Sequence, residues 1–384
     1  MKYRLEEICE FITDGTHQTP EYCEEGGVIF LSSKDVTTRK IDWNNVKYIP
    51  ESLHEKLCVR LRPKKNDILL AKNGTTGVAA LVDKDEIFDV YVSLAVLRPK
   101  EIVYPKYLLY AINSPVAKRQ FDAELKGVGV PNLHLNVIRK TEVNIENYKE
   151  QIRVCKNLDK VATIVDLRKK ELEKLDELLN ARFVELFGDM ILNPNGWKKT
   201  LLGEACDVRD GTHDSPKYYA EGYPLVTSKN VTGGKIDFTD CSLICEEDYK
   251  KINQRSKVNL GDILMPMIGT VGNPVIVDID VEFAIKNVAL IKFRKQSTVI
   301  NSFVKALLES NYFDRAVISK VRGGTQKFIS LGDIRKLEIC LPPINVQEQF
   351  ADFVNQVNKS KVEIQKALDK TQMLFDSLMQ EYFG

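Results

Sequence analysis

The 384-residue sequence has no long hydrophobic run and almost no net charge. Its apolar stretches, such as GVAALV, are far shorter than the roughly 20 residues of a membrane-spanning helix. No secretory segment follows Met1, because KYRLEEICE turns acidic before any apolar run forms. The sequence has 55 Lys and Arg against 54 Asp and Glu, so its total charge does not attract nucleic acid, which leaves local patches open. We expect a soluble, cytoplasmic protein.

The sequence also lacks the motifs of a self-contained enzyme. It has no Walker-type phosphate loop, no G-x-G-x-x-G after a strand and no H-E-x-x-H. Its eight cysteines share no spacing, and the close pair Cys241 and Cys245 has no neighbouring Cys or His to complete a tetrahedral metal site. NPNGW faintly resembles the base-holding loop of amino-methyltransferases but lacks the second proline. We predict a binding protein without catalytic residues, metal or cofactor of its own.

A tandem repeat covers essentially the whole chain. SSKDVTTRKID from Ser32 returns as TSKNVTGGKID from Thr227, and DGTH from Asp14 returns from Asp210. NDILLAKNGTTG and VIRKTEV in the first half match GDILMPMIGTVG and DIRKLEI in the second. Two copies are too few for a solenoid, so we expect a molecule with pseudo-twofold symmetry.

Each copy divides into a globule and a long helix. The globule alternates short β-rich runs with Gly, Thr, Asn and Pro turns around one helix-like stretch. We predict an α+β fold, with two repeated α/β domains separated by a long antiparallel two-helix coiled coil. The predicted boundaries are domains at 1–146 and 197–344, helices at 147–188 and 345–384, and a linker at 189–196.

Apolar residues at three-to-four spacing over four heptads predict the helix seam. Polar residues interrupt it at Arg168 and Arg182 in the first copy, and at Lys361 and Thr371 in the second. Because these positions do not coincide, pairing of the two different helices is favoured over self-pairing. The alternative is two separate helices, each on its own globule. The predicted seam residues are Leu158, Val161, Val165, Leu172, Leu175, Leu179, Leu186, Val354, Val357, Ile364, Leu368, Phe375, Leu378 and Tyr382.

Both helices also have predicted start signals. Asn147 precedes Glu150, and Asn345 precedes Glu348, at the spacing of a residue that caps the first turn. The second copy has two prolines before its helix, where the first reads NIENYKEQ. The start of the first helix is therefore the less sharply defined of the two.

Polar, glycine-bordered loops recur in both copies and supply the candidate binding residues. Lys, Arg, Ser and Thr suit phosphate oxygens, whereas Asn, Gln, Arg and Lys can read base edges. The alternative is that these are tight turns needed for folding, which we favour for their glycines, aspartates and prolines. The candidate DNA-contacting residues are Thr16, His17, Lys34, Arg39, Lys40, Asn73, Thr75, Lys126, Asn132, His134, Thr212, His213, Lys217, Lys229, Asn230, Lys235, Arg322, Gln326 and Lys327. Phosphate contacts are expected above all from Lys34, Arg39, Lys229 and Lys235.

The chain resembles the DNA-specificity (S) subunit of type I restriction-modification enzymes. The resemblance rests on the tandem repeat, on the stretch GWKKTLLGEACDVRDGTH and on the stretch RGGTQKFISLGDIRKLEICLPPINVQEQ. The resemblance implies two target-recognition domains, each reading half of a bipartite site, and helices that set the spacing and dock modification subunits. It implies three kinds of partner: double-stranded DNA, modification (methyltransferase) subunits and restriction (translocase/endonuclease) subunits. S-adenosylmethionine, ATP and Mg would then belong to the partner subunits. The alternatives are a coiled-coil protein-binding adaptor and a self-contained DNA methyltransferase or restriction enzyme.

Overall fold

A computed structural model describes residues 1–24, 26–125, 131–268, 271–294, 297–317 and 328–384. The chain divides into two compact units. Unit 1 comprises Met1–Lys169 and Lys366–Gly384, and unit 2 comprises Lys170–Gln365. Each unit therefore contains one globule and a part of each long helix. No helix in the described part of the chain is both long and apolar enough to cross a membrane.

The first copy consists of short strands and short helices followed by one long helix. Its strands are β1 (Lys2–Arg4), β2 (Cys9–Asp14), β3 (Val28–Leu31), β4 (Lys47–Ile49), β5 (Ile68–Ala71), β6 (Ala79–Leu81), β7 (Phe88–Val90), β8 (Leu94–Pro99) and β9 (Glu142–Asn144). Its helices are α1 (Leu5–Ile8), α2 (Glu51–Leu57), α3 (Pro105–Ile112), α4 (Pro115–Glu124), α5 (Leu135–Lys140) and α6 (Tyr148–Phe187).

The second copy repeats this order with small additions. Its strands are β10 (Lys199–Leu201), β11 (Asp207–Asp210), β12 (Tyr223–Val226), β13 (Val231–Thr232), β14 (Lys235–Ile236), β15 (Ser242–Ile244), β16 (Ile263–Pro266), β17 (Val275–Ile276), β18 (Ala284–Ile285), β19 (Val288–Lys292) and β20 (Glu338–Cys340). Its helices are α7 (Leu202–Ala205), α8 (Glu246–Ser256), α9 (Asn301–Glu309), α10 (Asn311–Ala316), α11 (Leu331–Arg335) and α12 (Ile344–Phe383).

The sheets of the two copies have the same topology. An antiparallel four-stranded sheet has the order β2-β8-β5-β6 in the first copy and β11-β19-β16-β17 in the second. A three-stranded sheet has the order β4-β3-β7 or β15-β12-β18, with one antiparallel and one parallel pair. A two-stranded ladder joins β1 to β9 and β10 to β20. The second copy adds the short hairpin β13–β14.

The central strand β5 is apolar throughout because both of its faces are covered. Ile68 and Leu70 belong to a core that includes residues of α3 and α4. Leu69 and Ala71 belong to another core, with residues of β3 and β7. Side chains alternate between the faces of a strand, so the apolar runs in NDILLAK and GDILMPM correspond to strands buried on both sides. The predicted α+β fold, with two repeated globules and two long helices, is confirmed.

In unit 1 the two long helices run antiparallel. The Asn157 amide of α6 donates to the Tyr382 hydroxyl of α12 at 3.2 Å. Eleven residues further along α6, Arg168 donates to the Thr371 hydroxyl and to the carbonyl of Ala367. Two of the predicted polar interruptions, Arg168 and Thr371, therefore bind each other.

In unit 2 the other halves of these helices also run antiparallel. Lys361 of α12 forms an ion pair with Asp176 of α6. Towards the end of α6, Phe183 packs against Phe350 near the start of α12, with ring centroids 5.6 Å apart. Phe183 and Phe187 belong to the core of the second globule.

Every predicted seam residue is buried or half-buried. Near both helix C-termini, however, the most deeply buried side chains lie one position after the predicted ones, at Phe183, Phe187, Met379 and Phe383. An α-helix has 3.6 residues per turn, so a 3.5-residue pattern drifts by about 20° per heptad. Over four heptads the drift approaches the 100° that separates successive residues, which explains the shift.

The two predicted helix starts have different outcomes. The N–H of Glu150 donates to the Asn147 side chain at 3.0 Å, so Asn147 caps α6 as predicted. The prediction for Asn345 is wrong, because α12 already begins at Ile344. The carbonyl of Pro343 accepts the first helical N–H groups, and Asn345 lies inside the first turn.

A buried glutamine that we did not predict anchors each long helix. Gln151 Oε1 accepts from the Tyr104 N–H at 2.7 Å, and its Nε2 donates to the carbonyls of Ile102 at 3.0 Å and Glu146 at 2.8 Å. Gln347 makes the same contacts in the second copy, with the backbone groups of Ile300, Thr298 and Pro342. Both side chains are fully buried, and each satisfies three backbone groups near the start of its helix.

Candidate functional site

In each unit, two of the predicted loops converge on one backbone segment. The DGTH loop is Asp14–His17 in unit 1 and Asp210–His213 in unit 2, and the SK loop is 32–42 or 227–237. In unit 1 the carbonyl of Thr16 accepts from the Val92 N–H at 2.9 Å, and the Ser33 N–H donates to the Ser93 hydroxyl at 3.0 Å. In unit 2 Asn287 contacts both loops. The sheet therefore presents both loops side by side.

The DGTH loops require glycine because a neighbouring backbone segment leaves no room for a side chain. A Cβ atom on Gly15 would lie 1.9 Å from the carbonyl oxygen of Val90, and one on Gly211 would lie 2.2 Å from that of Ile285. Thr16 and Thr212 are half-buried, and their hydroxyls accept the N–H groups of residues 18 and 214 at 3.3 and 3.1 Å. These glycines and threonines therefore shape the turn.

In unit 1 a network of cations holds the Asp14 carboxylate. Lys72 Nζ lies 2.5 Å from one carboxylate oxygen, and His17 Nε2 lies 3.4 Å from the other. Burial acts to raise the pKa of Asp14, but the hydrogen bond and charge of Lys72, together with His17, hold that pKa below its usual range. Arg60 donates to the carbonyls of Asp14 and Gly15. The His17 ring itself remains exposed.

In unit 2 the matching carboxylate has different partners. Asp210 accepts from His213 Nε2 at 2.8 Å and forms an ion pair with Arg255. Met267 stands at the position of Lys72 in the repeat. The second ring nitrogen of His213 lies 2.9 Å from Asn287 Oδ1.

The SK loops are closed by a buried side chain at matching positions. In unit 1 Asp35 accepts from the Ser32 N–H at 2.7 Å and from its hydroxyl at 3.0 Å. In unit 2 Asn230 accepts from the Thr227 N–H and hydroxyl and donates to the carbonyl of Asp237. Asn230 is 3% exposed, so its predicted DNA contact is corrected: its amide is occupied in shaping the loop.

The predicted cations of these loops are all exposed, but they differ in their partners. Lys40 Nζ lies 2.6 Å from the Asp166 carboxylate of α6, and Lys34 lies 3.9 Å from Asp35. The remaining loop cations have exposed side chains and no hydrogen bond or ion pair within the described residues: Arg39, Lys217, Lys229 and Lys235. The SK loops therefore retain Arg39, Lys229 and Lys235 as free cations.

Two further loops of unit 1, around residues 73–75 and 132–134, carry four more candidates. Asn73 forms an isolated bridge with Asn132, which brings two predicted residues together. Thr75, Asn132 and His134 are exposed, and Asn73 is half-buried. Four predicted residues lie outside the described part of the chain: Lys126, Arg322, Gln326 and Lys327.

The described residues contain no group of three or more His, Cys, Asp or Glu that could hold a metal ion. Burial raises the pKa of the Cys9, Cys155 and Cys206 thiols to about 12. These thiols are therefore protonated at neutral pH and act as small apolar side chains.

Sequence comparison gives two matches to one family model. The model for the type I restriction modification DNA specificity domain matches residues 1–177 and again residues 194–371. The MjaVIII specificity subunit of Methanocaldococcus jannaschii is 24% identical over 334 residues, which are 80% of this chain and 77% of that protein. The EcoKI specificity subunit of Escherichia coli K12 is 19% identical over 400 residues, with coverage of 97% and 85%.

Two solved structures share the fold along the whole chain. One is the S subunit of a type I restriction-modification system from M. genitalium, with a TM-score of 0.57, 15% identity and coverage of 100% of this chain and 96% of that one. The other comes from a study of complex assembly and conformational transition of the type I R-M system, with a TM-score of 0.57, 19% identity and coverage of 100% and 97%.

Proposed function

The chain belongs to the family of type I restriction-modification DNA specificity domains, and on this premise we propose that each of its two globules reads one half of a bipartite DNA site. It is a specificity subunit, the non-catalytic component of a type I restriction-modification complex. The observation that supports bipartite reading is the presence of two family domains in one chain, each presenting the same pair of loops on the same sheet framework.

The two globules differ where a ligand would contact them, so we infer that they read different half-sites. Thr38 and Arg39 in the first SK loop are replaced by Gly233 and Gly234 in the second. The second loop also forms the β13–β14 hairpin, which the first copy lacks among its described residues. Base readout depends on the side chains that a loop presents, and these sets are not equivalent.

The long helices have a proposed double role, in setting the gap between half-sites and in docking modification subunits. Apolar side chains remain exposed on them: Ile164 and Leu167 in unit 1, and Leu178 and Val362 in unit 2, are between 42% and 59% exposed. Exposed apolar side chains of this kind suit a protein partner. In this proposal S-adenosylmethionine, ATP and Mg, and the chemistry that they supply, belong to the modification and restriction subunits.

The decisive experiment is a methylation map. The chain is expressed with its modification subunit in a host without other methylation, and the genome is sequenced for N6-methyladenine. A split motif with a fixed gap, which disappears when the chain is omitted, is the expected result. A continuous motif, or methylation that persists without the chain, would overturn the proposal and favour the protein-binding adaptor.

The spacing role has its own test. Removing one heptad from each helix shortens the helices by about 10 Å, since the rise is 1.5 Å per residue. At 3.4 Å per base pair this corresponds to about three base pairs. We expect the methylated gap to shorten by that amount. A shortened variant that still methylates the original gap would refute the spacing role and leave half-site recognition untouched.

A further inference from the structure

The two SK loops share one backbone framework. The N–H of Asp42 donates to the carbonyl of Asp35 at 2.9 Å, and the N–H of Asp237 donates to the carbonyl of Asn230 at 2.8 Å. Between these anchors lie two turns at corresponding positions, residues 37–40 and 232–235, which we call the SK turns. The anchors therefore align position by position, although the turns differ in shape: Gly233 also has a positive φ, of 59°, and belongs to the β13–β14 hairpin, whereas the matching Thr38 does not have a positive φ.

The turns share a left-handed backbone position but fill it differently. Arg39 has φ of 60°, and Gly234 at the matching position has φ of 75°. Glycine adopts this conformation freely, whereas the Cβ of any other L-residue is crowded against the neighbouring carbonyl. Unit 1 thus has an arginine where the backbone favours glycine. Strain of this kind points to a role for the side chain.

Within unit 1 the two adjacent cations of the turn differ in their ion-pair partners. Lys40 Nζ lies 2.6 Å from the Asp166 carboxylate of α6, in a pair that stays exposed to solvent. The Arg39 side chain is exposed and has no hydrogen bond or ion pair among the described residues. Arg39 is therefore the free cation of this turn.

Within unit 2 the assignment is reversed. Gly234 has no side chain, and Lys235, which matches Lys40, is exposed. Its ammonium forms no ion pair within 4 Å in the described part of the chain, although its charge acts on the exposed Asp237 carboxylate two residues away. The helix position that matches Asp166 holds Val362, which is 52% exposed. The helix alignment is secure because Gln151 and Gln347 make the same contacts. Lys235 is therefore the free cation of the second turn.

We propose that each SK turn presents one unpaired cation to a DNA phosphate, and that non-matching residues perform this role: Arg39 in unit 1 and Lys235 in unit 2. In unit 1 Asp166 forms an ion pair with Lys40, which leaves Arg39 as the cation without a partner carboxylate. The inference rests on the proposed DNA-binding function. A phosphate is favoured over a base edge because each turn offers one exposed cation without an ion pair, and phosphate contacts need only charge and reach.

The test measures binding of the full chain, with its modification subunits, to a fluorescent duplex that carries both half-sites, over a range of salt concentrations. Arg39→Gly and Lys235→Gln should each flatten the slope of log affinity against log salt by about one unit and weaken binding by about tenfold, equally for matched and mismatched half-sites. Lys40→Gln is the matched control and should flatten the slope less than Arg39→Gly, because Asp166 competes with a phosphate for Lys40.

The ion pair between Asp166 and Lys40 can be removed by mutation. Asp166→Asn in the Arg39→Gly background frees Lys40 and should restore most of the slope. Glu173→Gln, which removes another carboxylate from α6, should restore none of it. A purely structural role for the turns does not predict this pattern.

Several results would overturn the inference. One is an unchanged slope in Arg39→Gly while the wild-type chain binds DNA normally. Another is weaker binding of modification subunits instead of DNA, which would assign Arg39 to an acidic protein partner. A thermal midpoint several degrees lower in Arg39→Gly would show that the arginine supports the fold, since glycine suits this φ. If the wild-type chain itself retained no DNA at low salt, the proposed function would fail instead.

Discussion

Asp14 and Asp210 end matching strands and begin matching turns, yet different cations hold their carboxylates. In unit 1 Lys72 contacts the carboxylate. Arg60, which follows the C-terminus of α2, contacts backbone carbonyls instead. In unit 2 a methionine replaces the lysine, and the matching Arg255 contacts the carboxylate instead. The same exchange of partners occurs in the SK turns. The repeat therefore preserves the buried framework, while the positive charge around it changes position.

The largest effect is expected from filling the space at Gly15. In Gly15→Ala the new methyl group would lie 1.9 Å from a backbone oxygen that cannot move without disturbing β7. We expect unit 1 to lose about 3 kcal/mol or more, and DNA recognition of the first half-site to be lost. Thermal unfolding and the methylation map measure the two effects.

The matched change Gly211→Ala should abolish recognition of the second half-site only. Gly332→Ala serves as the control, because its Cβ would meet nothing closer than 3.5 Å. If Gly15→Ala left the thermal midpoint unchanged, the close approach of the two backbone segments would be wrong.

A smaller effect is expected when unit 1 is given the residue of unit 2 at position 72. Lys72→Met removes the main partner of a carboxylate that is 5% exposed, and breaking a buried pair costs about 3 kcal/mol. Arg60 cannot take over, because its guanidinium is committed to two carbonyls. Met267→Leu, which changes shape but no charge, is the control and should lose less than about 1.5 kcal/mol.

This substitution also has a pH signature. The pKa of Asp14 is lowered in the folded protein, whereas an unfolded aspartate has a pKa of about 3.9. The stability from the pair is therefore fully present above about pH 4 and is lost as the pH falls through the folded pKa. The difference in unfolding free energy between wild type and Lys72→Met should be largest at neutral pH and shrink in acid. A pH-independent difference would show that packing, not charge, is lost.

The smallest effect distinguishes the two helix starts. Asn147→Ala removes the cap of α6 and should cost about 1 kcal/mol. Asn345→Ala should cost almost nothing, because Asn345 lies inside the first turn of α12 and its side chain accepts no N–H from the residues that the structure describes. Thermal unfolding of the two variants under identical conditions measures the difference. Equal losses would contradict the different starts of the helices.

The repeat made much of this architecture predictable. The two globules, the two long helices, the seam and the Asn147 cap follow from local patterns. The drift of the seam by one residue was missed, since a heptad template has no 3.6-residue turn built into it. Gln151 and Gln347 carried no such local signal, because the EQ of the second helix is Glu348-Gln349 and lies two residues out of register with Glu150-Gln151. Their shared role follows from backbone contacts that only the fold shows.

The roles of individual polar residues were less predictable, because they depend on partners distant in sequence. Lys40 and Lys235 match in sequence, but only the first meets a carboxylate, 126 residues away. Asn230 matches Asp35, and only the fold shows that both are buried. Loop composition identified the segments that carry the candidate site, whereas the assignment of each charge required tertiary contacts.

The two units also differ in when their parts leave the ribosome. Unit 2 is one continuous stretch, whereas the core of unit 1 includes Phe375, Met379 and Phe383 from the last turns of α12. The roughly 200 residues between its two segments take about 10 to 40 s to translate. During that interval the first globule has been synthesised but lacks the part of its core that α12 supplies, and the second is complete once Gln365 is made, before the last 19 residues. The half of the protein that is made first is thus the last to be completed, and a chain cut short within α12 exposes an apolar surface to chaperones and proteases.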